Sequence, residues 1–236
     1  MIKYLKLLRV EQWVKNFFVF IPLFFSGNIT HPNFFVKSVF AFIVFSLIAS
    51  SIYILNDYKD IEADQKHPEK KDRPLANGSI SKTTALFLFT TLISAVAMLV
   101  FFGQEYFHKN LWKFAVIIGS YFIMNLAYTF RLKHVAIVDI FIIAIGFVLR
   151  VLAGGYATGI KISQWAILLT FVLALVLAVG KRRGELINAA ISGKTRKALD
   201  GYNVQFADIV LSISVTLAVI CYLMFTLTPE VQERFG

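Results

Sequence analysis

One cysteine, Cys221, occurs in 236 residues, and it lies within an apolar run. It can supply neither a disulfide framework nor a thiolate metal site. Histidine is almost as scarce. His31, His108 and His134 form no ligand cluster, and His67 before Pro68 reads as a loop residue. No Ser/His/Asp or Cys/His arrangement is apparent, which leaves covalent nucleophilic catalysis without its usual groups. Acidic residues number 14 against 24 Lys and Arg. Tandem repeats, low-complexity segments and interdomain linkers are also missing, so residues 1–236 read as one domain. The charged stretch 1–9 is followed by apolar sequence without a small-residue cleavage site, and it reads as the entry to a first membrane segment instead of a removed signal.

What is present is apolar residue in bulk: 58% of the chain is hydrophobic and the mean hydropathy is +0.69. Ordinary globular domains hold about 45–50% apolar residues, so the chain reads as an all-α, polytopic transmembrane bundle. Seven segments are expected, over about 11–27, 34–53, 83–102, 111–130, 135–156, 163–180 and 208–226. The first is short for a span and carries Gln12, Trp13, Lys15 and Asn16 in its entry, where Trp13 suits either an interfacial belt or a polar lining. Phe-rich runs such as 17–25 and 40–45 suit lipid contact or packing.

The net charge of +10 resides in short basic segments between apolar runs, the pattern of membrane loops and not of a nucleic-acid-binding face. With the N-terminus in the cytoplasm, eighteen of the twenty-four basic residues fall on the inner side and five on the outer (Lys37, Lys109, Lys113, Lys161 and Arg234). The positive-inside rule favours that orientation. It puts Asp57, the 128–133 turn, Asp139 and Lys181–Arg183 at one membrane face. The expected location is a bacterial-type plasma membrane, with the protein integral to it and the site facing the cytoplasm.

At the end of the second apolar segment stand Asn56, Asp57, Asp60 and Asp64, then a basic run from Lys66 to Arg73. On a continuous helix the three aspartates, at i, i+3 and i+7, share one face. Stacked carboxylates repel one another, and Mg²⁺ prefers oxygen ligands and often shares its coordination with substrate phosphates. A solvated acidic helix end is the plainer alternative. Arg150 and Asp139 are ionisable groups inside an apolar run, where charge is costly and usually functional. Lys181 to Arg183 suit either an orientation signal or an anion contact. A carboxylate-held Mg²⁺ among basic groups and apolar helices suits one reactant bearing a diphosphate and another bearing a lipid tail, since metal and cations offset the charge on a departing diphosphate.

Asn56-Asp57, Asp60 and Asp64, followed by His67-Pro68 and Arg73-Pro74, resemble the first aspartate motif of the UbiA superfamily of intramembrane prenyltransferases. Four further segments resemble its phosphoribosyltransferase branch, which acts on decaprenyl phosphate. They are Arg9-Val10-Glu11-Gln12-Trp13-Val14-Lys15-Asn16; Pro22-Leu23-Phe24-Phe25-Ser26-Gly27; Gly146-Phe147-Val148-Leu149-Arg150 with Ala153-Gly154; and Lys181-Arg182-Arg183-Gly184-Glu185-Leu186. The resemblance implies transfer of ribose phosphate from phosphoribosyl diphosphate to a polyprenyl phosphate, as in cell-wall precursor synthesis. It implies that Asp57, Asp60, Asp64 and Asn56 hold Mg²⁺ and the donor diphosphate, and that Lys70 and Arg73 contact phosphate. Tyr128, Lys133 and Asp139 would form a second polar wall, with Lys15, Asn16, Arg150, Lys181 and Arg182 as further substrate contacts.

Two departures stand against the family pattern. The position four after Asp139 is Ile143, so a second Asp-x-x-x-Asp metal motif is not expected, and family members have nine membrane helices where about seven are expected here. The last two would then be missing. The alternatives are transfer of a prenyl chain from its diphosphate to an aromatic acceptor and transport of an anionic metabolite or lipid phosphate.

Overall fold

The structure, a computed structural model, describes residues 2–103, 111–192 and 201–235. Among these residues every regular element is helical. In chain order they are α1 (Ile2–Leu8), a 3-10 helix (Val10–Phe20), α2 (Ile21–Phe25), α3 (Pro32–Lys59), α4 (Ile61–Gln65), α5 (Lys82–Phe102), α6 (Leu111–Phe130), a second 3-10 turn (Leu132–His134), α7 (Val138–Thr158), α8 (Gln164–Ser192), α9 (Val204–Thr226) and α10 (Pro229–Phe235). The chemistry of the helix starts is local. Pro32 opens α3, where the N–H it lacks would have no helical partner. The Ser81 hydroxyl accepts from the Thr84 N–H to start α5, and the Asn203 side chain accepts from the Phe206 N–H to start α9.

Six described helices are long and apolar enough to cross a membrane: α3, α5, α6, α7, α8 up to Ala189, and α9. They correspond to six of the seven expected segments. The first, 11–27, is instead the 3-10 helix and α2. Glu11, Gln12, Lys15 and Asn16 interrupt its apolar pattern, and its polar side chains bind α3: Trp13 Nε1 donates to Ser50 Oγ at 3.0 Å and Asn16 Nδ2 to Ser46 Oγ at 3.0 Å. One segment runs further than expected and one stops short. α8 continues through the start of the connection expected from Glu185, as far as Ser192, whereas the helix expected to run on through the aspartates ends at Lys59.

The described chain forms two compact units. The first runs to Thr129 and includes Leu152–Ile160. In it α3 is largely buried, whereas α5 exposes Leu86, Phe87, Met98, Phe101 and Phe102, an apolar surface suited to lipid. Leu7, Ile54, Ile61, Leu75, Ile80 and Ala85 pack together, so α1, α3, α4, the 66–81 loop and α5 share one core. Phe45 on α3 and Tyr121 on α6 pack ring to ring at 4.5 Å. Gly154 permits a close approach: a Cβ there would lie 1.9 Å from the Val19 carbonyl oxygen. The second unit comprises Phe130–Val151 and the chain from Lys161 onward. Its core gathers Ile140, Ala178, Val179, Tyr202 and Ala207.

Candidate active site

In the first unit, α3 carries a stripe of Ser46, Ser50, Tyr53 and Asp57 at successive helical turns. The segment 9–16 runs antiparallel along it. Asn16 meets Ser46, Trp13 meets Ser50, and the Arg9 guanidinium lies 4.7 Å from the Tyr53 ring centre and donates to Asp57 Oδ1. Ser50 Oγ in turn donates to the Leu8 carbonyl at 2.8 Å, which pins the backbone beside Arg9. Arg9 itself adopts the left-handed conformation, φ 49° and ψ 48°, which side chains other than glycine seldom occupy.

α3 ends at Lys59, whose ammonium donates to the Thr129 carbonyl at 2.9 Å near the end of α6. Asp60, at φ −95° and ψ 12°, breaks the helix before α4 begins. The single three-carboxylate face expected of a continuous helix is therefore not formed. Asp57 and Asp64 are buried on either side of the break, while Asp60 is half-buried at the joint. Among the described residues no three His, Cys, Asp or Glu side chains gather closely enough to hold a metal ion by themselves.

The two buried carboxylates nevertheless converge. Arg73 Nη1 donates to Asp57 Oδ1 at 3.1 Å and to Asp64 Oδ2 at 2.7 Å. What carries Arg73 there is the loop's own packing. The turn Lys70 to Arg73 and the bonds Asn77 N–H to Arg73 O and Ile80 N–H to Pro74 O fold the loop back, while Leu75 and Ile80 plug the core. A cationic nitrogen shared by two buried carboxylates is a stand-in for a hard cation, and Mg²⁺ is usually held by one or two carboxylates with substrate phosphates completing its shell. Asp57 and Asp64 fit that donor set. A cavity of about 590 Å³ beside them is lined by Tyr58, Lys59, Ile61, Glu62, Ala63, Lys66 and Lys82, not by the two converging aspartates.

The other expected residues of this unit stand as follows. Asn56 is half-buried one residue before Asp57, Lys70 is half-buried in the loop, and Lys15 is exposed. Asn16 is buried with its amide engaged by Ser46. Tyr128 is half-buried in the last turn of α6.

The second unit holds a different cluster. Arg182 Nε donates to Asp139 Oδ2 at 2.7 Å and Arg182 Nη1 to Glu185 Oε2 at 2.5 Å. The Tyr202 hydroxyl donates to Asp139 Oδ1 and accepts from the Ile137 N–H at 2.6 Å. Burial, and then the bond to Asp139, hold the Tyr202 phenol above the usual tyrosine range. Arg150 is buried; its Nη1 donates to the Gly146 carbonyl one turn back at 2.7 Å, and its guanidinium lies 5.3 Å from the Phe147 ring centre. Lys133 is half-buried in the 3-10 turn and Lys181 is exposed on α8.

Arg9 and Tyr202 are not among the site residues expected from the sequence. Arg9 stands in the sequence only as the first residue of the 9–16 segment and Tyr202 carries no local signal, because each finds its partner at long sequence separation: Arg9 is 48 residues from Asp57, and Tyr202 is 63 from Asp139.

With this geometry in hand, comparison with known proteins is direct. Residues 17–182 match the model of the UbiA prenyltransferase family. A protein of Mycolicibacterium smegmatis named decaprenyl-phosphate phosphoribosyltransferase is 40% identical over 92% of this chain and 68% of its own length. Proteins of the same name from Corynebacterium glutamicum and Mycobacterium tuberculosis are 35% and 37% identical, over 94% and 92% of this chain and 66% and 71% of theirs. The chain thus spans about two thirds of the length of these curated relatives. Among solved structures, a UbiA homolog from Archaeoglobus fulgidus bound to DMAPP and Mg²⁺ has the same fold, with a TM-score of 0.71 at 19% identity over 98% of this chain and 81% of that one. Six apolar helices and a family-model match spanning most of the chain agree: this is an integral membrane transferase, and it belongs to the UbiA prenyltransferase family.

Proposed function

We propose that the protein transfers a 5-phosphoribosyl group from phosphoribosyl diphosphate to a polyprenyl phosphate, with Mg²⁺, at the cytoplasmic face of the plasma membrane. The observation that carries this reading is the 35–40% identity, over more than nine tenths of the chain, to relatives named for that reaction. The distribution of basic residues supports the orientation.

In this reading Asp57 and Asp64 hold the metal, with Asn56 and Asp60 at the adjoining helix end. Bound Mg²⁺ supplies electrostatic stabilisation of the diphosphate leaving group. Arg73, and Lys70 on the same loop, bind phosphate oxygens. An oxygen of the lipid phosphate forms the new bond to ribose C1 as the bond from C1 to the diphosphate oxygen breaks, and the electron pair leaves with the diphosphate. The lipid phosphate is already ionised near neutral pH, so the transfer needs no enzymic nucleophile. What it asks of this chain is placement and charge, which preorganised cationic side chains provide.

The test is to incubate the purified protein in lipid with labelled phosphoribosyl diphosphate, a polyprenyl phosphate and Mg²⁺. Label is expected in the organic phase, and EDTA is expected to abolish its appearance. Label absent from that phase, with turnover instead of a prenyl diphosphate and an aromatic acid, would overturn the reading in favour of aromatic prenylation. Anion uptake into vesicles that persists in Asp57→Ala would point to a transporter.

A further inference from the structure

The Asp57 and Asp64 cluster is electrically complete as it stands: two carboxylates face the guanidinia of Arg9 and Arg73. The two signs lie at different depths. The carboxylate side chains are 2% and 5% exposed, whereas those of Arg9 and Arg73 are 20% and 24% exposed. A ligand arriving from solvent therefore meets the cations first and the carboxylates behind them.

Arg9 has features that core salt bridges do not require. Its left-handed backbone is a costly conformation for a residue with a side chain, and such outliers persist where the surroundings hold them. Ser50 fixes the adjacent backbone through the Leu8 carbonyl, and Trp13 ties the following turn to the same hydroxyl. The backbone is thus anchored independently of the bond from Arg9 to Asp57. Asp57 accepts from Arg73 as well, so loss of the Arg9 bond would not strand the buried carboxylate.

We infer that Arg9 is an exchangeable counter-ion: it neutralises Asp57 in the absence of ligand, and it passes to the phosphate oxygens of a metal-bound diphosphate when a divalent cation takes Asp57. The inference rests on the reading that a magnesium diphosphate occupies this site. The exchange makes and breaks only ionic hydrogen bonds. A divalent cation replaces guanidinium charge at the carboxylates, and the released guanidinium offsets the charge of the incoming phosphates. Its planar fork suits phosphate as well as it suits carboxylate. The consequence is a split in sign. Arg9 competes with a metal that arrives alone, and it assists a metal that arrives with diphosphate.

The experiment uses the full chain in detergent or nanodiscs and three titrations: Mn²⁺ alone by electron paramagnetic resonance, inorganic diphosphate at saturating Mg²⁺ by calorimetry, and phosphoribosyl diphosphate under the same conditions. Removing one charged competitor in Arg9→Ala is expected to tighten Mn²⁺ binding roughly 3- to 10-fold, while removing a charge-assisted phosphate contact weakens inorganic diphosphate roughly 10- to 100-fold. Arg9→Lys, which keeps the charge, is expected to leave Mn²⁺ binding within about 3-fold of the parent, with diphosphate affinity between the two. Should the alanine variant not fold, Arg9→Gln reads the same opposite-sign pattern. Weakening of both ligands in Arg9→Ala or Arg9→Gln, as a merely structural role predicts, overturns the inference, and so does no change in either. The inorganic diphosphate arm decides the role of Arg9. Failure of the parent protein to bind phosphoribosyl diphosphate, with inorganic diphosphate still bound, counts against the functional reading alone.

Discussion

The Asp57 cluster and the Asp139 cluster are built from the same chemistry, buried carboxylates against guanidinium, yet they are arranged in opposite senses. At Asp57 and Asp64, two cations stand on the solvent side of two acids, on a loop and an N-terminal segment that frame the end of α3. At Asp139, the guanidinium among the described residues is that of Arg182, itself just 9% exposed and held between Asp139 and Glu185, with the Tyr202 hydroxyl on the other oxygen of Asp139. The first arrangement can change partners. The second ties α7, α8 and the residues before α9 together, and its groups are already spent on one another. Sequence placed both among the substrate contacts, and burial is what separates them: in the Asp139–Arg182 pair both partners are buried, at 1% and 9% exposure, whereas the cations facing Asp57 and Asp64 keep 20% and 24% of their side-chain surface accessible, and a pair buried on both sides is the more expensive to open.

The largest expected effect tests the first cluster directly. Asp57→Ala or Asp64→Ala is expected to lower transfer activity by about 10³-fold or more, as for loss of a principal electrostatic element, with the melting temperature little changed. An equal loss in Asp139→Ala with an unchanged melting temperature would erase the distinction between the clusters. Next comes Asp139→Ala, which leaves a buried guanidinium with Glu185 alone. It is expected to cost about 3 kcal/mol, read as a lowered melting temperature in detergent.

A smaller loss, about 1 kcal/mol, is expected for Tyr202→Phe, which removes one donor to Asp139. Because the folded state holds this phenol protonated beyond the ordinary tyrosine pKa, its stabilisation is complete below about pH 10 and is lost as the pH rises above that. The gap in melting temperature between parent and Tyr202→Phe should accordingly be constant through neutral pH and narrow above pH 10. Smallest of all is Arg183→Ala. The ion pair of Arg183 with Asp208 joins two exposed side chains, 41% and 49% accessible, and its loss is expected to cost under about 1 kcal/mol. A large effect there would mean that exposure does not separate the polar groups of this unit.

Much of the scaffold was legible beforehand. The expected segment 111–130 coincides with α6, and 83–102 and 208–226 lie within a few residues of α5 and α9, because an uninterrupted apolar run of that length has few other stable states. The segment 11–27 is not one continuous helix but a 3-10 helix followed by α2, because Gln12, Trp13, Lys15 and Asn16 bring polar groups into its apolar run and two of them bind α3. The stripe of Ser46, Ser50, Tyr53 and Asp57 inside α3 was a usable signal: polar groups recurring at helical spacing in an apolar helix need partners. The apolar run of the sixth segment stops at Gly180, and α8 continues beyond it through Lys181 to Glu185, whose charge the pairing of Arg182 with Asp139 and Glu185 offsets.

By itself the sequence determined what each segment could be: apolar helices of membrane length, an acid-rich helix end, a basic loop and a family signature are all properties of neighbouring residues. The convergence of Asp57 and Asp64 was implied by their spacing, but the break at Asp60 and the guanidinium between them were not. Tertiary structure alone decided which cation meets which acid. Arg9 reaches Asp57 across 48 residues, Arg182 reaches Asp139 across 43, and Tyr202 reaches it across 63. Coulombic and hydrogen-bonding energies depend on distance in space and on burial, and neither quantity exists until the helices have packed.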